Sequence, residues 1–514
     1  MKERTNNEEG EWGEGLAMAK GQRRRRRRRR RRMVKQEHSR VNGRRMVMDW
    51  KRGWRGFKGR TGKQAGGAGS GEENENLRSD LEKLECHFTW GLTAKDADLN
   101  FLEVKFREVV SLPEDSLPQE INLKGRTYNH LAYVKHLQGC NQEALGYLGK
   151  AVEENADNAK SCIVTYGNLA WVHHLMGDNR EAETYLRRLE EINESFPTPP
   201  PAALHREVFG EKAWSLLKFS KNHYEEAKEC FYEALQREPD DKEWNMGYAF
   251  SLFRWDGWRI MTGEQIPLST SRSVKQLERA LELDPDNGVI MVYLALVFQN
   301  NGKKLEAWKH MRKALEVSPN NLSVVLKVGK FLRKVENYDM ALHALEKMLT
   351  IAPDSARLHH EIANNYRWKS FRGKGQIRDR EMILRFISHK EEEVRLNPSY
   401  FYPQLELAMR YAEVQDVERA EGMFQEMFAR HDLKPADRQA LHRMYGDFQR
   451  NHMCSMRTAV THYMEGMKLQ NISTDWKMCR KRLLKITLMR RRKTSMHYEI
   501  EEFLSSFQRN SFYD

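Results

Sequence analysis

The chain has 514 residues, of which 39% are hydrophobic and 31% charged, and a formal charge of +14. No run of eighteen apolar residues occurs, so no membrane-spanning helix is expected. The six cysteines (Cys86, Cys140, Cys162, Cys230, Cys454 and Cys479) are scattered without a CxxC pair, which argues for free thiols in a reducing compartment and against a structural zinc site.

The charge is unevenly spread. Residues 1–68 hold 23 Lys and Arg against 7 Asp and Glu, which leaves 64 against 66 for the remainder. A basic surface on the folded part must therefore come from local placement rather than bulk charge. Residues 1–76 read as a disordered basic extension. Arg23–Arg32 is an unbroken run of ten arginines, and Gly66–Gly71 reads as a flexible linker. Ten like charges repel one another and bury nothing. The extension lacks the apolar stretch of a secretory signal. Two readings of the run stand side by side: a nuclear-import or nucleic-acid arm, and a low-complexity extension without a role.

From Leu77 the texture becomes helical, with apolar residues recurring at i, i+3, i+4 and i+7. A longer period then emerges. Pro285, Pro319 and Pro353 stand 34 residues apart; Pro239 precedes them by 46 and Pro398 follows by 45. The longer gaps read as two insertions. A 34-residue period closed by proline is the pattern of tetratricopeptide helix pairs. Counting back from each proline places small residues where two helices cross: Ala249, Ala295, Gly329, Ala363 and Ala408. Ala227, Ala307, Ala341 and Ala420 recur at a second fixed position. Phe231, Met311, Leu345 and Phe424 recur at a third. Leu131–Ala132 with Ala144, and Leu169–Ala170 with Ala182, make two earlier units. The fold class is all-α, a superhelical solenoid of about eight repeats over residues 77–480, followed by a basic helix and tail over 481–514.

In such a solenoid the first helix of each pair lines a concave face. The repeat frame puts Tyr133, His136, Trp171, Arg254, Lys330, Arg333, Lys334, Arg357, His360, Arg367, Trp368 and Tyr402 there. Cations on this face would meet phosphates, and rings would stack on unpaired bases. Lys218 breaks the pattern by taking a packing position. It either meets an anion or snorkels to solvent. The pairs His173–His174 and His359–His360 are adjacent on a helix and do not converge on one metal. No phosphate-loop, nucleophile-elbow or zinc-helix motif occurs, so neither catalysis nor a cofactor is expected.

Several segments resemble one family. Leu84-Glu85-Cys86-His87-Phe88-Thr89-Trp90, Asn129 to Leu137, Tyr166 to Val172, Trp214 to Phe219 and Leu358-His359-His360 are similar to motifs of the interferon-induced proteins with tetratricopeptide repeats. The likeness runs from about Leu81 to about Leu469. It implies a cytoplasmic, antiviral, non-enzymatic protein that takes the 5′ end of single-stranded RNA, as a triphosphate or an incompletely methylated cap, and keeps it from translation. It implies phosphate contacts from Lys218 and Arg254, with Arg333, His360, Arg367 and Lys105 contributing; Lys330 joins them from the repeat frame alone. It implies that Trp214 and Tyr224 line the cap or first-nucleotide pocket and that Tyr400 and Tyr402 flank the path; Trp171 is a stacking candidate from the repeat frame alone. The chain departs from the family pattern at Ser323, Leu326 and Lys327, where relatives carry a Tyr-x-x-Arg-Tyr run. It departs again at Glu361, where they carry glutamine. The competing expectation is a scaffold that takes a peptide or a homologous repeat protein in the same groove.

Overall fold

Each of the prolines spaced by 34 stands two residues before a helix-capping side chain. Asn287 accepts from Ile290 N, Asn321 from Val324 N and Ser355 from Leu358 N, all at 3.2 Å. Each cap occupies one of the unpaired amides that begin a helix, a contribution of about 1 kcal/mol. Proline and cap together stop one pair and start the next.

The structure, a computed structural model, describes residues 69–113, 116–117, 123–197, 205–261, 264, 266–370, 380–469, 472–488 and 494–510. The chain divides into units 1–66 and 67–514; the arginine run lies outside the described residues, and of the expected linker Gly66–Gly71 only Gly69–Gly71 are described, as the first residues of a helix. No strand occurs among the described residues. The helices are α1 (Gly69–Glu82), α2 (Leu99–Val110), α3 (Leu123–Leu137), α4 (Asn141–Glu154), α5 (Ile163–Leu175), α6 (Asn179–Ser195), α7 (Arg206–Phe219), α8 (Tyr224–Leu235), α9 (Lys242–Met261), α10 (Arg272–Leu283) and α11 (Gly288–Asn300). They continue as α12 (Lys304–Val317), α13 (Leu322–Val335), α14 (Tyr338–Ile351), α15 (Ala356–Ser370), α16 (Arg380–Leu396), α17 (Phe401–Glu413), α18 (Val417–Ala429), α19 (Pro435–Asn451), α20 (Met456–Lys468), α21 (Thr474–Thr487) and α22 (Ser495–Asn510). Consecutive helices pack as hairpins from α3/α4 through α19/α20, which makes nine pairs among the described residues where the period suggested about eight. Helix α1 runs through position 77, and α21 runs through position 480.

The repeat positions read from the sequence form the core. Ala249, Ala295, Ala363 and Ala408 are fully buried, as are Ala227, Ala307, Ala341 and Ala420. Phe231, Met311, Leu345 and Phe424 fill the space between them. At Gly247, Gly329 and Gly446 the approach is closer still. An added Cβ would lie 2.4 Å from the Phe231 ring, 2.9 Å from Leu345 and 2.6 Å from Tyr463.

The segment Cys86–Trp90 is a buried staple. Ser215 Oγ donates to the Glu211 carbonyl at 2.6 Å. Its one proton is thus committed, so His87 Nε2 (3.1 Å) and His130 Nε2 (2.9 Å) both donate to it. His87 Nδ1 then accepts from Asn168 Nδ2 at 3.1 Å. Burial pushes the His87 imidazole down to about 3, so it stays neutral. The staple ties α3, α5 and α7 to the segment ahead of α2.

Two further histidine pairs join neighbouring helices. His359 and His389 bring their Nδ1 atoms to 3.0 Å, and His442 and His462 to 3.1 Å. One ring of each pair donates and the other accepts, so neither pair tolerates two protons. Burial and then the partner ring push His389 and His442 down to about 4.

Two predictions follow from this packing. Gly247→Ala lowers the unfolding free energy by about 1–3 kcal/mol through overpacking against Phe231, measured by chemical denaturation; an unchanged midpoint contradicts the close approach. His389 and His442 have folded-state values below the ordinary 6.5. Their stabilisation is therefore complete above pH 6.5 and lost as the pH falls toward 4. The melting temperature drops across that window, and a His389→Asn/His442→Asn variant loses part of the slope. An identical slope in the variant refutes the assignment.

Candidate functional site

Helix α2 lies outside the repeats, and its own side chains set where it sits. Asp98 caps its first turn by accepting from Phe101 N at 3.1 Å. Glu103 pairs with Lys135 on α3 at 2.9 Å and accepts from Gln138 Nε2 at 2.9 Å. Leu102 and Phe106 join the core built on α3, α7 and α9. Leu112, just past the helix, joins a second core with Leu322, Val325, Leu358 and Ile362. The segment thus bridges two parts of the repeat stack.

Glu108 completes the bridge. Its carboxylate is 5% exposed. It accepts from Ser355 Oγ at 3.1 Å, from Arg357 N at 3.0 Å and from Arg357 Nε. These partners open α15, 249 residues further on. A carboxylate at a helix N-terminus also complements the helix dipole.

So held, α2 carries Lys105 among cations from four repeat helices. Burial, and then Arg254, Arg357, Lys218 and Lys327, push its ammonium well below the ordinary lysine value. Lys327 is shifted the same way, by burial first and then, against an opposing Tyr293, by Arg254 and Arg357. All five side chains are partly exposed, and they form a cationic cluster centred on Lys105. Arg254 donates to the Leu217 carbonyl and lies 5.6 Å from the centroid of the Tyr224 ring. Lys218 lies 5.1 Å from the centroid of Trp214.

Glu211, below Lys218, is buried, and burial pushes its carboxyl up to about 7 against the pull of Asn129, Arg126 and Lys218. It is therefore only partly ionised near neutral pH and offsets the positive charge only in part. Trp214 itself is 3% exposed. Its indole N–H donates to Glu243 at 2.8 Å, and the Arg126 guanidinium lies 5.9 Å from its ring centroid. The ring is a floor beneath Lys218 rather than an open stacking face.

The other residues expected in the groove are placed differently. Arg333 pairs with Glu361 at 3.1 Å, His360 with Glu393 at 2.9 Å and Arg367 with Glu406 at 2.8 Å. At the centre lies Lys390, wholly buried, 2.8 Å from Glu393 and 2.9 Å from Glu406. Burial pushes the Glu406 carboxyl up, and Lys390 and Arg367 more than reverse that. This end of the groove is a neutralised network. Lys330 is exposed on α13. Tyr402 is 43% exposed, with its ring 6.5 Å from that of Tyr400. Trp171 donates to the Leu81 carbonyl at 3.1 Å and stacks on Phe88 at 5.7 Å, so it fastens α1 to α5. Tyr133 is buried and donates to the Leu92 carbonyl at 2.7 Å.

Sequence reasoning missed Glu108 and Lys390. Lys390 had a signal, since it continues the buried stripe Ile383, Phe386 and Ile387, the same anomaly that marks Lys218. Glu108 had none. Among the described residues no cluster of three or more His, Cys, Asp or Glu could hold a metal, and no helix is long and apolar enough to cross a membrane.

Tetratricopeptide-repeat family models match residues 124–195 and 215–241. The chain is 32% identical over 443 residues to the human antiviral innate immune response effector IFIT1, across 83% of this chain and 91% of that protein. It is also 32% identical over 459 residues to human interferon-induced protein with tetratricopeptide repeats 2, across 85% and 93%. Among solved structures, the human IFIT1 dimer with m7Gppp-AAAA matches with a TM-score of 0.59 and 31% identity, over 84% of this chain and 98% of that one. The human IFIT1 dimer with PPP-AAAA matches with a TM-score of 0.56 and 33% identity, over 80% and 90%. At this identity and coverage, and with the repeat core and the Cys86–Trp90 staple in place, this chain belongs to the family of interferon-induced proteins with tetratricopeptide repeats.

Proposed function

We propose that this chain is a non-catalytic, cytoplasmic antiviral protein that captures the 5′ end of single-stranded RNA and sequesters it from translation. One observation carries the reading: cations from five helices form one partly exposed cluster in which they repel one another. Such an arrangement is stabilised by a compact polyanion and by little else. A 5′-triphosphate, or the triphosphate bridge of a cap, has that chemistry. Lys105, Lys218 and Arg254 neutralise the phosphates, and Tyr224 orients Arg254. Trp214 supports Lys218 from below. Tyr400 and Tyr402 flank the strand as it leaves, while Trp171 acts through packing. The reading draws support from the RNA ends present in the two IFIT1 structures.

Arg333, His360, Arg367 and Lys330 are assigned weaker contacts, since the first three already hold carboxylates. A homologous repeat protein is proposed as a second partner at the C-terminal end. There Leu488, Ile472 and Tyr498 expose apolar surface around α21 and α22, and the related IFIT1 structures are dimers.

The test is binding of one short single-stranded RNA carrying a 5′-triphosphate, a cap or a 5′-hydroxyl. A triphosphate or cap end binds at least about tenfold tighter than hydroxyl, and Lys218→Ala abolishes the difference. Equal, weak binding of all three ends would point to a protein scaffold instead. Glu361→Gln releases Arg333 from its carboxylate partner and tightens RNA binding by roughly threefold to tenfold. Unchanged affinity means that Arg333 lies off the RNA path.

A further inference from the structure

We propose that two histidine pairs, His359 with His389 and His442 with His462, are twin sites for a divalent transition-metal ion, zinc(II) first, completed by Glu392 and Glu465. The proposal is independent of the RNA-end reading.

The place of the pairs in the repeat is the first argument. His359 stands four residues before the buried Ala363, and His442 four before Gly446, where the paired helices approach. His389 and His462 directly precede the wholly buried Lys390 and Tyr463. The pairs thus take the same two frame positions, on α15/α16 and again on α19/α20. Helix packing does not call for imidazoles there. The same positions hold Val325 and Ala344 in α13/α14, and Gln404 and Met423 in α17/α18. Both pairs are also followed by a carboxylate, Glu392 three residues after His389 and Glu465 three after His462. That spacing puts histidine and carboxylate on one helix face.

Geometry is the second argument. The facing Nδ1 atoms are 3.0 and 3.1 Å apart. Two nitrogens bound tetrahedrally to one zinc ion at about 2.0–2.1 Å stand about 3.3–3.4 Å apart. A small parting of the rings therefore turns each hydrogen bond into a chelate. His359 is already arranged as a ligand. Its Nε2 donates to the Pro353 carbonyl at 3.1 Å, which leaves the Nδ1 lone pair bare and aimed at His389. Metal-bound imidazoles are oriented by such a bond from the second nitrogen. His389 needs only to move its proton from Nδ1 to Nε2, so the neutral rings release none. Among the described residues no three such groups yet converge. Glu392, 41% exposed, accepts from Arg395 at 2.8 Å, and Glu465, 42% exposed, from Lys468 at 2.6 Å. Each reaches its pair by rotating away from a weak surface ion pair, and there it offsets the nearby Arg385 or Arg438. Water takes the fourth position.

The experiment uses the full chain, freed of metal by a chelator, with zinc chloride alone as the probe. Titration calorimetry gives two zinc ions per chain with a Kd below about 100 µM, and saturating zinc raises the melting temperature. His389→Asn removes one equivalent, His442→Asn removes the other, and the double variant binds neither. Cys454→Ser, at the exposed cysteine, keeps both. Glu392→Gln and Glu465→Gln alter only the surface, and each weakens its own site at least about tenfold. They carry the test should a histidine variant fail to fold. No zinc binding by the unaltered protein, full stoichiometry in the folded double variant, or unchanged affinity in both glutamine variants overturns the sites.

Discussion

The structure turns on mutual repulsion among five cations that the fold holds together. Nothing in the recess makes Lys105, Lys218, Arg254, Lys327 and Arg357 attract one another, and Lys105 is driven well below its ordinary value by their company. Each wall must therefore be fixed by packing elsewhere. Repeat helices supply that rigidity for four of the five, because each is locked to its neighbours by fully buried alanines and aromatics. The fifth arrives on α2, which has no repeat partner. It is anchored by Glu103 at one end and by Glu108, across 249 residues, at the other. The carboxylate that holds the helix in place also neutralises part of Arg357.

Charge balance divides the groove into two regimes. Along α15, α16 and α17 every expected cation meets a carboxylate, and the buried Lys390 sits between two of them. Such pairing keeps the low-dielectric interior free of isolated charge. Around α2 the carboxylates are fewer, and Glu211 is held up near 7 by burial. The contrast explains why a domain close to neutral in total charge still presents one strongly cationic recess. On the proposed reading a polyanion is met where cation meets cation, around Lys105, rather than along the paired network of Lys390.

Much of this was legible in the sequence, and the reasons differ by residue. Ala295, Gly329 and Ala363 were legible because a 34-residue period repeats the same packing problem. Lys218 was legible because a lysine at a packing position breaks a rule that its neighbours obey. Arg357 could be placed on the right face by the repeat frame, and Lys327 was marked only by its departure from the family pattern, yet their convergence with Lys105 could not be seen, since it depends on where a non-repeat helix inserts. The Glu108 clamp left no trace, because a carboxylate on a short amphipathic helix looks like any solvated one until its partner 249 residues away is known. Trp214 and Trp171 illustrate the opposite error. An aromatic in a repeat can face the groove or the core, and here both indole N–H groups are already spent on protein acceptors.

The same logic links stability to function. A site assembled from repelling groups lowers the stability of the empty protein and is relieved when a polyanion arrives. For Lys105 the linkage has a definite sign. Its folded-state value lies below the ordinary 10.5, so the cost is fully present below that depressed value and fades as the pH rises toward 10.5. On the proposed reading, a triphosphate at this site would reverse the shift, because it favours the charged ammonium, and would stabilise the folded state by mass action. The clamp between α2 and α15 gains from the same event. With phosphates between the cations, repulsion no longer pushes α2 away from α15, and the helix that completes the recess is held by its ligand as well as by Glu108. On that reading, capture of an RNA end relieves the same repulsion that the anchoring of α2 must hold in check.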